Sequence, residues 1–141
     1  MGSANVLPPP SPLVAIAGWL IPGAGYWLLG QRIRGLVIFL SVLAIFAMGL
    51  LIGGIRVVDA PTELTFTALV QDKPWFIPQA LCGPLAIGTA IGADQVDALR
   101  VSHSRSWEIG TLYTAVAGML NLLAIIDSTH RAATGDQPSA V

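Results

Sequence analysis

Charge is what this chain has least of: Asp, Glu, Lys and Arg make up 11% of its 141 residues, against roughly 25% in an ordinary soluble domain. Hydrophobic types reach 54% and the mean hydropathy is +0.71. Together these values exclude disorder and most soluble folds, and they make lipid the natural solvent for much of the chain. Neither sign of charge dominates either. Seven Lys+Arg against eight Asp+Glu leave −1, so there is no basic surface to neutralise a phosphate backbone, and nucleic acid is not an expected partner. The one cysteine, Cys82, lies in an apolar run and permits neither an intrachain disulfide nor a thiolate cluster.

Catalytic signatures are missing as well. The sequence holds no HExxH, no GxSxG, no pair of intramembrane aspartates and no Walker-type phosphate loop. It shows no internal repeat, and its apolar runs carry no charge that would couple ion movement. The expectation is a protein that is not an enzyme. Asp127 and His130 have the i, i+3 spacing of two metal ligands, but two ligands do not make a site, and no metal is expected. No cofactor is expected, beyond apolar contact with a pigment, a quinone or a structural lipid. The opening MGSANVLPPPSP lacks the basic n-region of a secretory signal, so the apolar segment after it is expected to be retained.

What is present is a series of four apolar segments, at about 13–29, 35–55, 75–93 and 109–126. They predict an all-α membrane protein, a bundle of four apolar segments with three to four transmembrane helices. The second segment is 21 residues without a charge, which at about 1.5 Å rise each matches a hydrocarbon core of roughly 30 Å. The first carries Gly18, Pro22, Gly23 and Gly25 and is expected to be broken or kinked at Pro22; a broken helix, a kinked span and a re-entrant hairpin all fit. Pro78, Gly83 and Pro84 predict a bend in the third. The organisation is a Pro-rich tail (1–12), one helical membrane domain (13–128) and a polar tail (129–141). Between the second and third segments, residues 64–70 alternate apolar and polar types over part of their length, which suggests a short extended or interfacial element.

Orientation follows from the arginines, because short cytoplasmic loops retain basic residues. The 30–35 turn holds Arg32 and Arg34 and the 94–108 loop holds Arg100 and Arg105. Both loops are expected on the cytoplasmic side, leaving Arg56, Lys73 and Arg131 outside. Trp27, Trp75 and Trp107 mark segment ends and are expected to anchor at the headgroup level.

Two sets of residues are candidates for function. Pro22, Gly23 and Gly25, followed by Arg32 and Arg34, form a tight hairpin turn whose arginines are placed to contact anionic headgroups. Gly49 and Gly53, Gly88 and Gly92, and Gly110, Thr114, Gly118 and Asn121 lie at helical steps of three and four. Such small faces let backbones approach, either within the bundle or against a partner. Asn121, and Gln79 at the start of the third segment, are expected to make interhelical hydrogen bonds.

Two stretches resemble known families. GWLIPGAGYWLLGQRIRGLVIFL is similar to the glycine-rich hairpin of the TM-two type domain, with its aromatic core reduced to Gly25, Tyr26 and Trp27. That hairpin, Pro78-Gln79-x-x-x-Gly83-x-Leu85 and the motif from Glu108 through Asn121 to Asp127 together resemble a bacterial family of small multi-span proteins of unknown function. The resemblance covers roughly residues 13–128. It implies a protein of the bacterial inner membrane and brings no activity. The expected role is therefore a non-catalytic multi-pass membrane protein, an accessory or structural subunit of a larger membrane complex such as a respiratory or photosynthetic one, or else a homo-oligomer. The alternative is a small transporter or lipid-binding membrane protein that uses the broken first segment.

Overall fold

The computed structural model describes residues 9–54, 57–58, 75–95 and 104–135, and among these the regular structure is helical throughout. Helix α1 (Ser11–Leu20) opens with Pro12 in its first turn, where a missing N–H costs nothing. It stops at Ile21, whose extended backbone (φ −133°, ψ 116°) is what a residue preceding proline is driven to adopt. Gly23, at φ +83°, then reverses the chain into α2 (Ala24–Leu28), so the break expected at Pro22 falls at 21–23. Helix α3 (Arg32–Gly53) runs 22 residues without proline. Helices α4 (Phe76–Ala80) and α5 (Pro84–Gln95) flank a turn that contains Gly83 at φ +62°. The last and longest helix, α6 (Ser104–Thr134), has 31 residues.

Among the described residues two helices are long and apolar enough to cross a membrane, α3 and the Ser106–Thr134 part of α6. This corrects the expectation of three to four full spans. The segments at 13–29 and 75–93 are each divided into two short helices. The ten residues of α1 reach about 15 Å, half of a hydrocarbon core.

Among the described helices α3 and α6 make the most extensive contact, and they run antiparallel. At one end Gly53 faces Gly110 and the carbonyl of Ser106; at the other, Ile38 shares a groove with Leu123 and Asp127. Segment 13–29 folds on α6 as a hairpin. Val14 lies with Leu29 and Ala132 near one end of the bundle, Gly18 reaches Ile125 and Asn121, and Tyr26 is back at Asp127. Of the forms open for this segment, the structure has a helical hairpin that doubles back on itself. A second correction follows. The start of α6 lies at the Gly53 end of α3, so the 104–108 part of the 94–108 loop is opposite the 30–35 turn instead of beside it, while Arg131 joins Arg34 at the hairpin end. The charge count missed this because it assumed that every apolar segment crosses.

The core gathers Val42 and Phe46 of α3, Val58, Phe76, Cys82, Ala86 and Ala117. Outside it, large apolar side chains such as Leu36, Leu40 and Leu51 of α3 and Leu112, Met119 and Leu123 of α6 are exposed. The alternating element at 64–70, most of the Pro-rich tail, Arg56, Lys73 and Arg100 lie outside the described residues.

Candidate functional site

Three constructions use the residues singled out from sequence. The first is a seam between α3 and α6. A Cβ added to Gly110 would lie 2.6 Å from the Cα of Gly53, and one added to Gly49 would lie 2.7 Å from the Thr114 methyl. These small residues bring the two backbones together inside the chain. Gly118 does the same for α4, since a Cβ there would fall onto the Pro78 carbonyl oxygen. Gly88 and Gly92 differ, with nothing among the described residues within 4 Å of an added Cβ.

The second is a hub at Asn121, where the tips of the two broken segments meet. Asn121 is fully buried. Its Nδ2 donates to the Gly18 carbonyl oxygen at 3.2 Å and to the Leu81 carbonyl oxygen at 2.8 Å, at the C-terminal ends of α1 and α4. Such ends leave carbonyls without helical partners, and one amide here caps both. The tips also touch directly. Trp19 Nε1 donates to the Ala80 carbonyl oxygen at 3.2 Å, and the Trp19 carbonyl oxygen occupies the space where Gly83 would carry a Cβ. One turn along α6 from Gly118, buried Gln79 donates to Thr114 Oγ1 at 2.8 Å and to the Val57 carbonyl oxygen at 3.1 Å. Gln79 and Asn121 thus make the hydrogen bonds between segments that their polarity inside apolar runs suggested. Asn121 Oδ1 has no partner among the described residues.

The third lies at the hairpin end. Tyr26 donates its hydroxyl to Asp127 Oδ2 at 2.6 Å, and Arg131 Nε reaches the same oxygen at 2.8 Å. The Arg34 guanidinium stands 6.0 Å from the centre of the Tyr26 ring and donates to Gln31 Oε1 at 2.9 Å. A cleft of about 840 Å³ is lined by Gly30, Gln31, Arg32, Arg34 and Arg131. Beside it, a groove of about 310 Å³ runs between α3 and α6 past Val42, Leu120 and Leu123. Ile38 lines both. Pro22, Gly23 and Gly25 are buried beneath this end; the turn is tight because a Cβ on Gly23 would strike the Gly35 carbonyl oxygen.

Sequence reasoning singled out Arg32 and Arg34 but set Arg131 on the far side, and it gave Tyr26 no partner. The only available sign was an unexplained carboxylate, Asp127, within the final motif. The three tryptophans, Trp27, Trp75 and Trp107, are each more than a third exposed. Trp27 also lies against Gly35 and 6.4 Å from the Phe39 ring. Among the described residues no group of three or more His, Cys, Asp or Glu side chains gathers, and Asp127 is engaged by Tyr26 and Arg131 instead of His130. Among the described residues the arrangement sets three guanidinium groups along a cleft that shares Ile38 with an apolar groove.

No curated protein and no solved structure matches the chain. A model described as "Family of unknown function (DUF6677)" matches residues 13–138, and the chain belongs to that family.

Proposed function

We propose that this is a multi-pass membrane protein without chemistry of its own, acting as an accessory subunit that packs against a larger membrane protein. In this reading α3 and α6 span the bilayer and the two broken segments enter it from opposite ends, meeting at Asn121. The hairpin end with Arg32 and Arg34 faces the cytoplasm. In keeping with the bacterial family of unknown function that the sequence resembles, the membrane is the bacterial inner one.

One observation carries the reading. The small faces of α3 and α6 are occupied inside the bundle, whereas the Gly88 and Gly92 face of α5 meets nothing among the described residues. A small-residue face in lipid is where another helix approaches closely. The wide exposure of α3, with only 22% of its most apolar window buried, supports a lipid or protein surround.

Purification in a mild detergent with mass spectrometry tests it. One companion protein in fixed stoichiometry is expected, and Gly88→Leu with Gly92→Leu should release it while the bundle keeps its melting temperature. Release of nothing by that variant, or a lone homo-oligomer, would count against the subunit role. Transport along the broken first segment finds less support, because the two breaks are packed against each other. The lipid-binding alternative has its own observation in the arginine-lined cleft.

A further inference from the structure

We propose that the bundle binds one anionic phospholipid at the hairpin end, with the phosphate among Arg32, Arg34 and Arg131 and one acyl chain in the groove between α3 and α6. Three guanidinium groups line the cleft, with the Gln31 amide beside them. Among the described residues the acidic side chain at its edge is Asp127, which lines the groove and is already engaged by Arg131 and the Tyr26 hydroxyl. The positive charge therefore exceeds the negative. The first turn of α3, which contributes Arg32, Ile33 and Arg34 to the lining, has no acidic residue and no side-chain cap, so nothing there competes with an anion. Arginine favours phosphate because its fork of N–H donors matches the oxygens.

Geometry selects a lipid over a soluble phosphate. The cleft, at about 840 Å³, is in the size range of sites for whole organic ligands. It shares Ile38 with a neighbouring groove that Ser41, Val42, Leu120 and Leu123 help to line. The groove lies between the two helices long enough to span a bilayer, so the polar and apolar parts are stacked in the order of a headgroup and its chain. Trp27, half-exposed on the same hairpin, suits the interfacial level. Docking of a partner on α5 is not required; the site rests only on the bundle lying in a membrane.

The test uses the full chain in dodecyl maltoside, with native mass spectrometry during titration by dioleoylphosphatidylglycerol, dioleoylphosphatidylcholine or glycerol 3-phosphate. One phosphatidylglycerol should bind per chain, roughly tenfold or more tighter than phosphatidylcholine. Glycerol 3-phosphate should not displace it at equal concentration. Arg32→Gln with Arg34→Gln should weaken phosphatidylglycerol about fivefold per arginine removed and erase the preference between the two lipids. Ser41→Trp, in the groove lining, should weaken both lipids alike. Arg32 and Arg34 are exposed, so an unchanged melting temperature is expected; should the double variant fail to melt cooperatively, Arg32→Gln alone carries the test. Equal affinity for the two lipids, an affinity indifferent to the arginines, or full competition by glycerol 3-phosphate would each overturn the proposal. A chain that stays dispersed with no amphiphile at all would instead overturn the membrane reading beneath it.

Discussion

Tyr26 donates its hydroxyl to Asp127 Oδ2 across 2.6 Å, joining the returning arm of the N-terminal hairpin to a turn of α6 that lies 101 residues further along the chain. Asp127 also accepts from Arg131, so its charge stays compensated if the tyrosine is lost. Tyr26→Phe keeps the buried ring and removes one hydrogen bond to an ionised group, a loss of about 1.5–3 kcal/mol. We expect a lower melting temperature in detergent, with the protease sensitivity of the hairpin rising more than that of α3. Asp127→Asn, which keeps an acceptor for Tyr26, should cost less. Equal melting of wild type and Tyr26→Phe would remove this bond from the account of how the hairpin docks.

Asn121 offers a sharper comparison, because its role is carried by a donor. Nδ2 serves two carbonyls, those of Gly18 and Leu81, while Oδ1 serves none among the described residues. Asn121→Leu strands both carbonyls inside the bundle, at a cost of about 1–3 kcal/mol. Asn121→Asp at neutral pH sets a carboxylate against the same two oxygens and should be worse than leucine despite its similar shape. Thermal melts of the three proteins should rank asparagine, then leucine, then aspartate. An aspartate variant as stable as wild type would mean that the tips are held by something other than this amide.

How much of this was legible beforehand depends on the kind of signal. The long helix α3 could be read because 21 residues without charge or proline admit few alternatives in lipid. The break at Pro22 was equally legible, since proline acts on the residue before it and Gly23 permits the reversal. What the chain does after the break was not. A kinked span and a hairpin share the same local residues, and the choice rests on Gly18, Tyr26 and Asn121 finding partners about a hundred residues away. The placement of the 94–108 loop turned on the third segment alone: taken as a crossing, it sets residues 104–108 beside the 30–35 turn, whereas the antiparallel pairing of α3 and α6 sets them at the other end. The small-residue faces were legible as contacts but not as to their partner; Gly53 and Gly88 look alike in sequence and differ only in what the fold sets opposite them.

That last difference can be measured. A Cβ at Gly110 would sit 2.6 Å from the Gly53 Cα, so Gly110→Ala must push α3 and α6 apart, at about 1–3 kcal/mol for an overfilled contact. Gly88→Ala meets open space and should hold or slightly raise stability, because glycine within a helix costs roughly 0.5–1 kcal/mol relative to alanine. Melting curves of the isolated chain in detergent should therefore move in opposite directions. A loss at Gly88 equal to that at Gly110 would show that the Gly88 face of α5, like Ala86, packs within the bundle.

The antiparallel pairing of α3 and α6 makes a prediction about sidedness that the arginine count contradicts. Gly53 lies beside the Ser106 carbonyl, whereas Arg34 and Arg131 line one cleft; the chain between the two helices must therefore return to the end it left. In a Cys82→Ala background, single cysteines at Gln31 and Thr134 should react with a membrane-impermeant maleimide from the same side of a sealed vesicle. A cysteine at Glu108, exposed near the start of α6, should react from the other side. If every apolar segment crossed, Gln31 would share its side with Glu108 and Thr134 would lie opposite. The comparison needs no knowledge of which side is cytoplasmic, and labelling of Gln31 with Glu108 would mean that the second broken segment passes through the bilayer instead of turning back at Asn121.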